Sequence, residues 1–152
     1  MLYQCELCDR PAQPTLAIRT RAAVQDLPRV LGPAWGAIMQ YAGSLGVLPS
    51  GAPFVAYHNM DMQDLDIEIG FPFAQELAGQ DNIQAGAIPG GKAATCMHIG
   101  PYDQVGRAYD ALQKWLEVNS YLPVGVAYEF YLNDPQITSP AELQTQVLFP
   151  LQ

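Results

Sequence analysis

Positive charge is scarce in this chain: seven Lys and Arg stand against 15 Asp and Glu, leaving a formal net charge of −8. The seven are scattered rather than gathered into a stripe, so the electrostatic footprint of a nucleic-acid binder or an acidic-membrane binder is missing. A neutral or cationic small molecule is the partner such a field favours. Cysteine is also scarce, and three of them form no disulfide framework. Cys5 and Cys8 are spaced as CxxC, but one further Cys and two His do not supply the second ligand pair of a zinc site. A structural or incidental role is expected for both, with no metal and no cofactor. Long apolar runs are absent as well. No charged residue occurs between Val30 and Asp61, yet Gly32, Pro33, Gly36, Gly43, Gly46, Pro49, Gly51 and Pro53 leave no stretch of the roughly 18 apolar residues that a crossing helix needs. A buried helix followed by a strand is the expectation there, and any exposed part of that helix would serve as a self-association face in a homodimer. Residues Met1 to Glu6 carry neither the basic start nor the apolar run of a secretory signal, so a cytoplasmic location is expected.

Familiar catalytic signatures are missing too. No GxSxG, HExxH, P-loop or GxGxxG stands in a usable context, and Pro89-Gly90-Gly91-Lys92 reads as a tight turn. The carboxylate-rich segment from Met60 to Glu68 lacks EF-hand spacing and reads as a solvated hairpin turn.

What is present is an internal repeat. The 152 residues are 49% hydrophobic, enough for one core and too few for two ordinary domains. Val47 to Asn59 lies without a gap over Tyr121 to Asn133, with Leu, Pro, Gly, Tyr and Asn coinciding. The same offset puts Trp35 on Tyr109, Ile38 on Leu112 and Tyr41 on Trp115. Both halves close alike, Ile69-Gly70-Phe71-Pro72-Phe73 matching Val147-Leu148-Phe149-Pro150-Leu151. Residues 1–152 therefore read as one α+β domain of two βαββ pseudo-repeats, 1–74 and 82–152. Antiparallel sheets would form a concave ligand cleft, with two long helices on the other side.

The periodicities place the elements. Tyr3 to Cys8 and Thr15 to Ala23 read as extended, and a helix from about Leu31 carries Leu31, Trp35, Ile38, Ala42 and Leu45 on one stripe, ending at Gly46. Val105, Ala108, Leu112, Trp115 and Leu116 make a second stripe, with Asp103 near its start. Strand pairs follow at Phe54 to His58 with Leu65 to Phe71, and at Ala127 to Leu132 with Leu143 to Phe149. Gln75 to Gln84 joins the halves.

Strand alternation sends Tyr128, Phe130 and Leu132 toward the helices and leaves Glu129 and Tyr131 on the concave side, beside Tyr57. On the residues alone, Glu129 reads either as a cation receptor among tyrosine faces or as a solvated carboxylate on a wet strand face. Tyr102, at the start of the second helix, reads as a packing residue or a ligand wall. Glu68 is a weaker candidate whose register decides its face.

The segments His98-Ile99-Gly100-Pro101-Tyr102, Tyr109 to Trp115, Tyr128-Glu129-Phe130-Tyr131-Leu132-Asn133-Asp134-Pro135 and Glu142-Leu143-Gln144-Thr145 together resemble the GyrI-like small-molecule-binding domain. That domain is also the effector-binding half of MerR-type and AraC-type multidrug regulators. The resemblance implies a duplicated βαββ fold and a pocket for hydrophobic or cationic aromatic compounds. It puts the central glutamate at Glu129, with Tyr57, Tyr102, Tyr131, Phe71 and Phe149 as walls. It also implies two alternatives, since some stand-alone relatives hydrolyse cyclopropane-bearing genotoxins and others act on DNA gyrase as protein partners. In the first case Glu129 would be the catalytic residue. The regulators' separate helix-turn-helix module has no counterpart in these residues, so direct DNA binding is not expected.

Overall fold

The computed structural model describes residues 3–152. The chain is α+β, with antiparallel strands and two α-helices, and it divides into two compact units: residues 11–90, and residues 3–10 together with Gly91–Gln152.

In the first unit, strands β2 (Gln13–Ala22), β3 (Phe54–Tyr57), β4 (Leu65–Pro72) and β5 (Ile83–Ile88) pair in the spatial order β3-β4-β2-β5, and helix α1 (Leu27–Ser44) links β2 to β3. The helix starts four residues earlier than the stripe predicts, because Pro28 is tolerated in the first turn, where its missing N–H costs no helical bond. Its buried stripe is Ala34, Ile38 and Ala42. Gly46 ends it at a φ of 72°, with Val47 N–H donating back to the Ala42 carbonyl. The strand face that carries Val55, Tyr57, Ile67 and Ile69 is buried. The other face buries Ala17, Phe54 and Ala56 at one end and is polar at the other, where Arg19 makes a two-point bond to Asp66, Arg21 pairs with Asp64, and His58 meets Glu68.

In the second unit, strands β1 (Cys5–Arg10), β6 (Gly91–Ile99), β7 (Ala127–Tyr131) and β8 (Gln144–Pro150) pair in the order β1-β6-β8-β7, and helix α2 (Gly106–Val118) links β6 to β7. A 3-10 turn at Tyr102–Gln104 leads into the helix, which carries no side-chain cap, so Asp103 does not act as one. Ala108, Leu112 and Leu116 form its buried stripe.

The expected strand pairs are found within one residue of their predicted limits. Two strands also depart from the sequence reading. β5 rises within the stretch after Phe73, where a connection and no named strand was expected. β1 does not pair with β2, which follows it in sequence, but with β6. Pro11, between β1 and β2, provides no N–H with which to continue the ladder.

Candidate functional site: a buried glutamate between tyrosine hydroxyls

Strand β7 is Ala127-Tyr128-Glu129-Phe130-Tyr131, and Glu129 is 7% exposed. A carboxylate is seldom so buried unless its oxygens are satisfied. Both are: Tyr109 on α2 donates to Oε2 at 2.6 Å, and Tyr131 donates to Oε1 at 2.8 Å. Burial nevertheless dominates and pushes the Glu129 pKa up from its usual 4.5, while the two tyrosine bonds and the nearby His98 pull it back down.

The register shows which face this is. Directly opposed residues of an antiparallel pair share a face. Glu129 opposes Val147, which opposes Cys96, which opposes Cys5, so one row crosses all four strands of the unit. The neighbouring row is Tyr131, Thr145 and His98. Phe149, two residues beyond Val147, lies on the same face, and its ring is 5.6 Å from that of Tyr109. Helix α2 therefore stands over the Glu129 face. This corrects the expectation that Tyr128, Phe130 and Leu132 meet the helix while Glu129 faces away. The opposite face carries Tyr128 stacked on Phe130, with the Arg10 guanidinium 5.5 Å from the Phe130 ring. Alternation sorts residues into two faces but does not say which face a helix covers, and two aromatic residues drew the wrong choice.

Tyr102 lies edge-on to Tyr131 with ring centres 5.5 Å apart and is 36% exposed, the outermost of these rings. Partial burial and then the charge of Asp134 raise its pKa. His98, 2% exposed, holds the preceding turn. Its Nε2 donates to the Pro101 carbonyl at 2.9 Å, which leaves Nδ1 to accept the Tyr3 hydroxyl at 3.0 Å. Glu129, Tyr131, Tyr102 and Phe149 are thus brought together in the second unit. Tyr57 and Phe71 belong to the first unit, on the strand face buried beside α1, with Tyr57 buried and Phe71 half-buried. Glu68 is on the polar face of its strand with His58 and Arg19.

The sequence reading missed Tyr109 as a site residue. It treated that position only as an apolar place in the helix, equivalent to Trp35, although a tyrosine on a buried stripe needs a partner for its hydroxyl. Trp35 follows the same logic in the first unit, its indole N–H donating to the Gly70 carbonyl at 3.1 Å. Among the described residues no three His, Cys, Asp or Glu side chains gather as a metal site, and no helix is long and apolar enough to cross a membrane.

Chemically, the cluster offers one carboxyl group in apolar surroundings, two phenolic donors and several ring faces. The sequence of residues 3–152 matches the GyrI-like small molecule binding domain, and the chain belongs to that family. The C-terminal domain of EcmrR has a similar structure, with 24% identity, a TM-score of 0.84, and coverage of 100% of this chain and 99% of that one. The EcmrR chain in a complex with DNA is 26% identical, with a TM-score of 0.86; the match covers 100% of this chain but only 58% of EcmrR, so this chain spans little more than half of its length. A hydrolase from Listeria innocua shares the fold at 13% identity, a TM-score of 0.67, and coverage of 99% and 93%. So does SAV2435, solved bound to tetraphenylphosphonium, at 10% identity, a TM-score of 0.64, and coverage of 100% and 94%. No curated protein matches the sequence.

Proposed function

We propose that this domain binds hydrophobic, cationic, aromatic small molecules, with Glu129 as the charge complement and Tyr102, Tyr109, Tyr131 and Phe149 as the surrounding rings. The observation that carries this reading is the burial of a carboxylate whose two hydrogen-bond donors are neutral phenols. Phenols satisfy the oxygens without cancelling the charge, so a cation arriving there gains an ion pair in a poorly hydrated setting. Each aromatic face it meets adds about 0.5 to 2 kcal/mol. Ring faces accept many shapes, and broad selectivity follows.

The same reading takes the two units as copies of one βαββ plan. Support comes from equivalent bonds at aligned positions: Asn59 and Asn133 each receive a backbone N–H and donate to a carbonyl of the returning segment. Ser50 and Val124 likewise each donate a backbone N–H to the proline that ends β4 or β8, Pro72 and Pro150.

A hydrolytic role uses the same carboxylate. Its raised pKa suits a general base acting on a bound electrophile, and the phenols of Tyr109 and Tyr131 are the groups hydrogen-bonded to it. The test is calorimetric titration of wild type and Glu129→Gln with tetraphenylphosphonium and with a neutral triphenyl compound, followed by mass spectrometry of the recovered ligand. Cation binding weakened at least roughly tenfold by Glu129→Gln, with neutral binding little changed, is the expected result. Equal cation binding by both proteins would overturn the reading, and a changed mass of the recovered ligand would move the domain to the enzymes.

A further inference from the structure

Cys5 on β1 and Cys96 on β6 are directly opposed across the antiparallel ladder, and both thiols are free. Opposed residues place their side chains on one face with Cβ atoms roughly 4.5–5.5 Å apart, the near end of which meets the roughly 3.5–4.5 Å of a disulfide, and these two thiols are close enough to share a hydrogen bond. The Cα separations of antiparallel pairs, about 4.5 or 5.5 Å, both lie within the range a disulfide spans. Cys5 is part-exposed and Cys96 is 2% exposed, so Cys5 is the more accessible residue of the two. Cys8, the other half of the CxxC spacing, opposes Ala93. Three positions along an extended strand put it on the opposite face and about 10 Å from Cys5, too far for a bond. The sequence spacing therefore points at the wrong pair.

We propose that Cys5 and Cys96 are a reversible disulfide-forming pair, a modification site for small-molecule disulfides such as glutathione disulfide, which fastens strand β1 to β6. In the first step the Cys5 thiolate attacks one sulfur of the reagent RSSR, forming Cys5–S–SR and releasing RS⁻, which takes up the proton Cys5 gave to solvent. In the second, Cys96 gives its proton to solvent and attacks the Cys5 sulfur, forming the Cys5–Cys96 bond and expelling another RS⁻, which is protonated in turn. Two protein thiols are oxidised and one RSSR is reduced to two RSH. The order follows from the surroundings. Burial, then the charge and hydrogen bond of Cys5, push the Cys96 thiol up to about 12. Once Cys5 is held in the mixed disulfide, both of its contributions vanish and burial alone still holds the Cys96 thiol up, so the second step is the slower one.

The bond would act on an edge. Within its unit β1 pairs with β6, and Tyr3, just before the strand, donates to His98.

The full chain treated with glutathione disulfide at mildly alkaline pH, then mapped without reduction, tests this. The expected product is a monomer lighter by two hydrogens with Cys5 and Cys96 in one crosslinked peptide. Its Tm should rise by about 10 °C, reversed by dithiothreitol. Cys8→Ser should behave as wild type, and Cys5→Ser should yield no crosslink. A lasting glutathione adduct without crosslink, a disulfide-linked dimer, a crosslink through Cys8, or no reaction would each overturn the proposal.

Discussion

Tyr109 donates its hydroxyl to Glu129 Oε2 at 2.6 Å, tying helix α2 to strand β7 at the one buried carboxylate among the described residues. Because burial outweighs the two phenolic bonds, the folded protein holds a proton on Glu129 above pH 4.5, where the unfolded chain has released it. This contribution to stability is fully present below the unfolded value and is lost as pH rises through the folded one. Thermal unfolding of wild type and Glu129→Gln from about pH 4 to about pH 8 reads it directly. The variant should be the more stable protein at neutral pH, with the gap closing toward the acid end.

Ligand binding should show the opposite slope. A cation prefers the ionised carboxylate, so its affinity should climb as pH rises through the Glu129 value and then level off, with proton release on binding below that plateau. Calorimetry in buffers of different ionisation enthalpy measures the released proton. Tyr109→Phe removes a bond that lowers the Glu129 pKa, so it should move the midpoint of the affinity curve to higher pH; Tyr131→Phe should do the same. A midpoint unmoved by both changes would separate the phenols from the titration.

The centres of the helical stripes (Ile38 and Ala42; Ala108, Leu112 and Leu116), the paired strands and the face shared by Glu129 and Tyr131 were legible because each follows from periods of 3.6 and 2 within one short segment, whereas Leu45, placed on the first stripe, is exposed. What could not be read was set by contacts between distant segments. Nothing local in Cys5–Arg10 says that it joins β6 rather than β2. The six residues Ile83–Ile88 have a strand pattern interrupted by Gly86, and only the neighbouring β2 makes them a strand. The resemblance singled out Glu129, which the structure buries, but its partner Tyr109 required knowing which sheet face α2 covers.

Thr145 sits between Tyr131 and His98 in register, fully buried, and its hydroxyl has no partner among the described residues. An unpaired buried hydroxyl costs about 1–3 kcal/mol. Thr145→Val, which keeps the shape and removes the unmet polar atom, should therefore leave stability equal or raise it by about 1 kcal/mol. Thr145→Ser, which keeps the hydroxyl and opens a methyl-sized gap, should lower it by about 1 kcal/mol. Denaturant unfolding with matched m-values checks both. A Thr145→Val variant that loses several kcal/mol would reveal a bound water or other partner at that hydroxyl.

Two glycines of the first unit should respond in opposite directions to the same change. Gly36 lies on the exposed side of α1, where an added Cβ meets nothing within 4 Å. Glycine costs about 1 kcal/mol against alanine in a helix interior, mostly through the freedom of the unfolded chain. Gly36→Ala should thus raise stability by about 0.5–1 kcal/mol, or roughly 2 °C in Tm for a chain of this size. Gly70 lies in β4, where an added Cβ would stand 2.5 Å from the Leu16 carbonyl oxygen and 2.9 Å from both Ala17 Cβ and the Phe54 ring. Its own carbonyl also receives the Trp35 indole. Neither the Leu16 backbone nor the buried Phe54 ring can give way cheaply, so Gly70→Ala should cost several kcal/mol, on the order of an overpacked core. Thermal unfolding of the two variants side by side decides it, and a Gly70→Ala protein as stable as wild type would mean that β4 and β2 are further apart than their register implies.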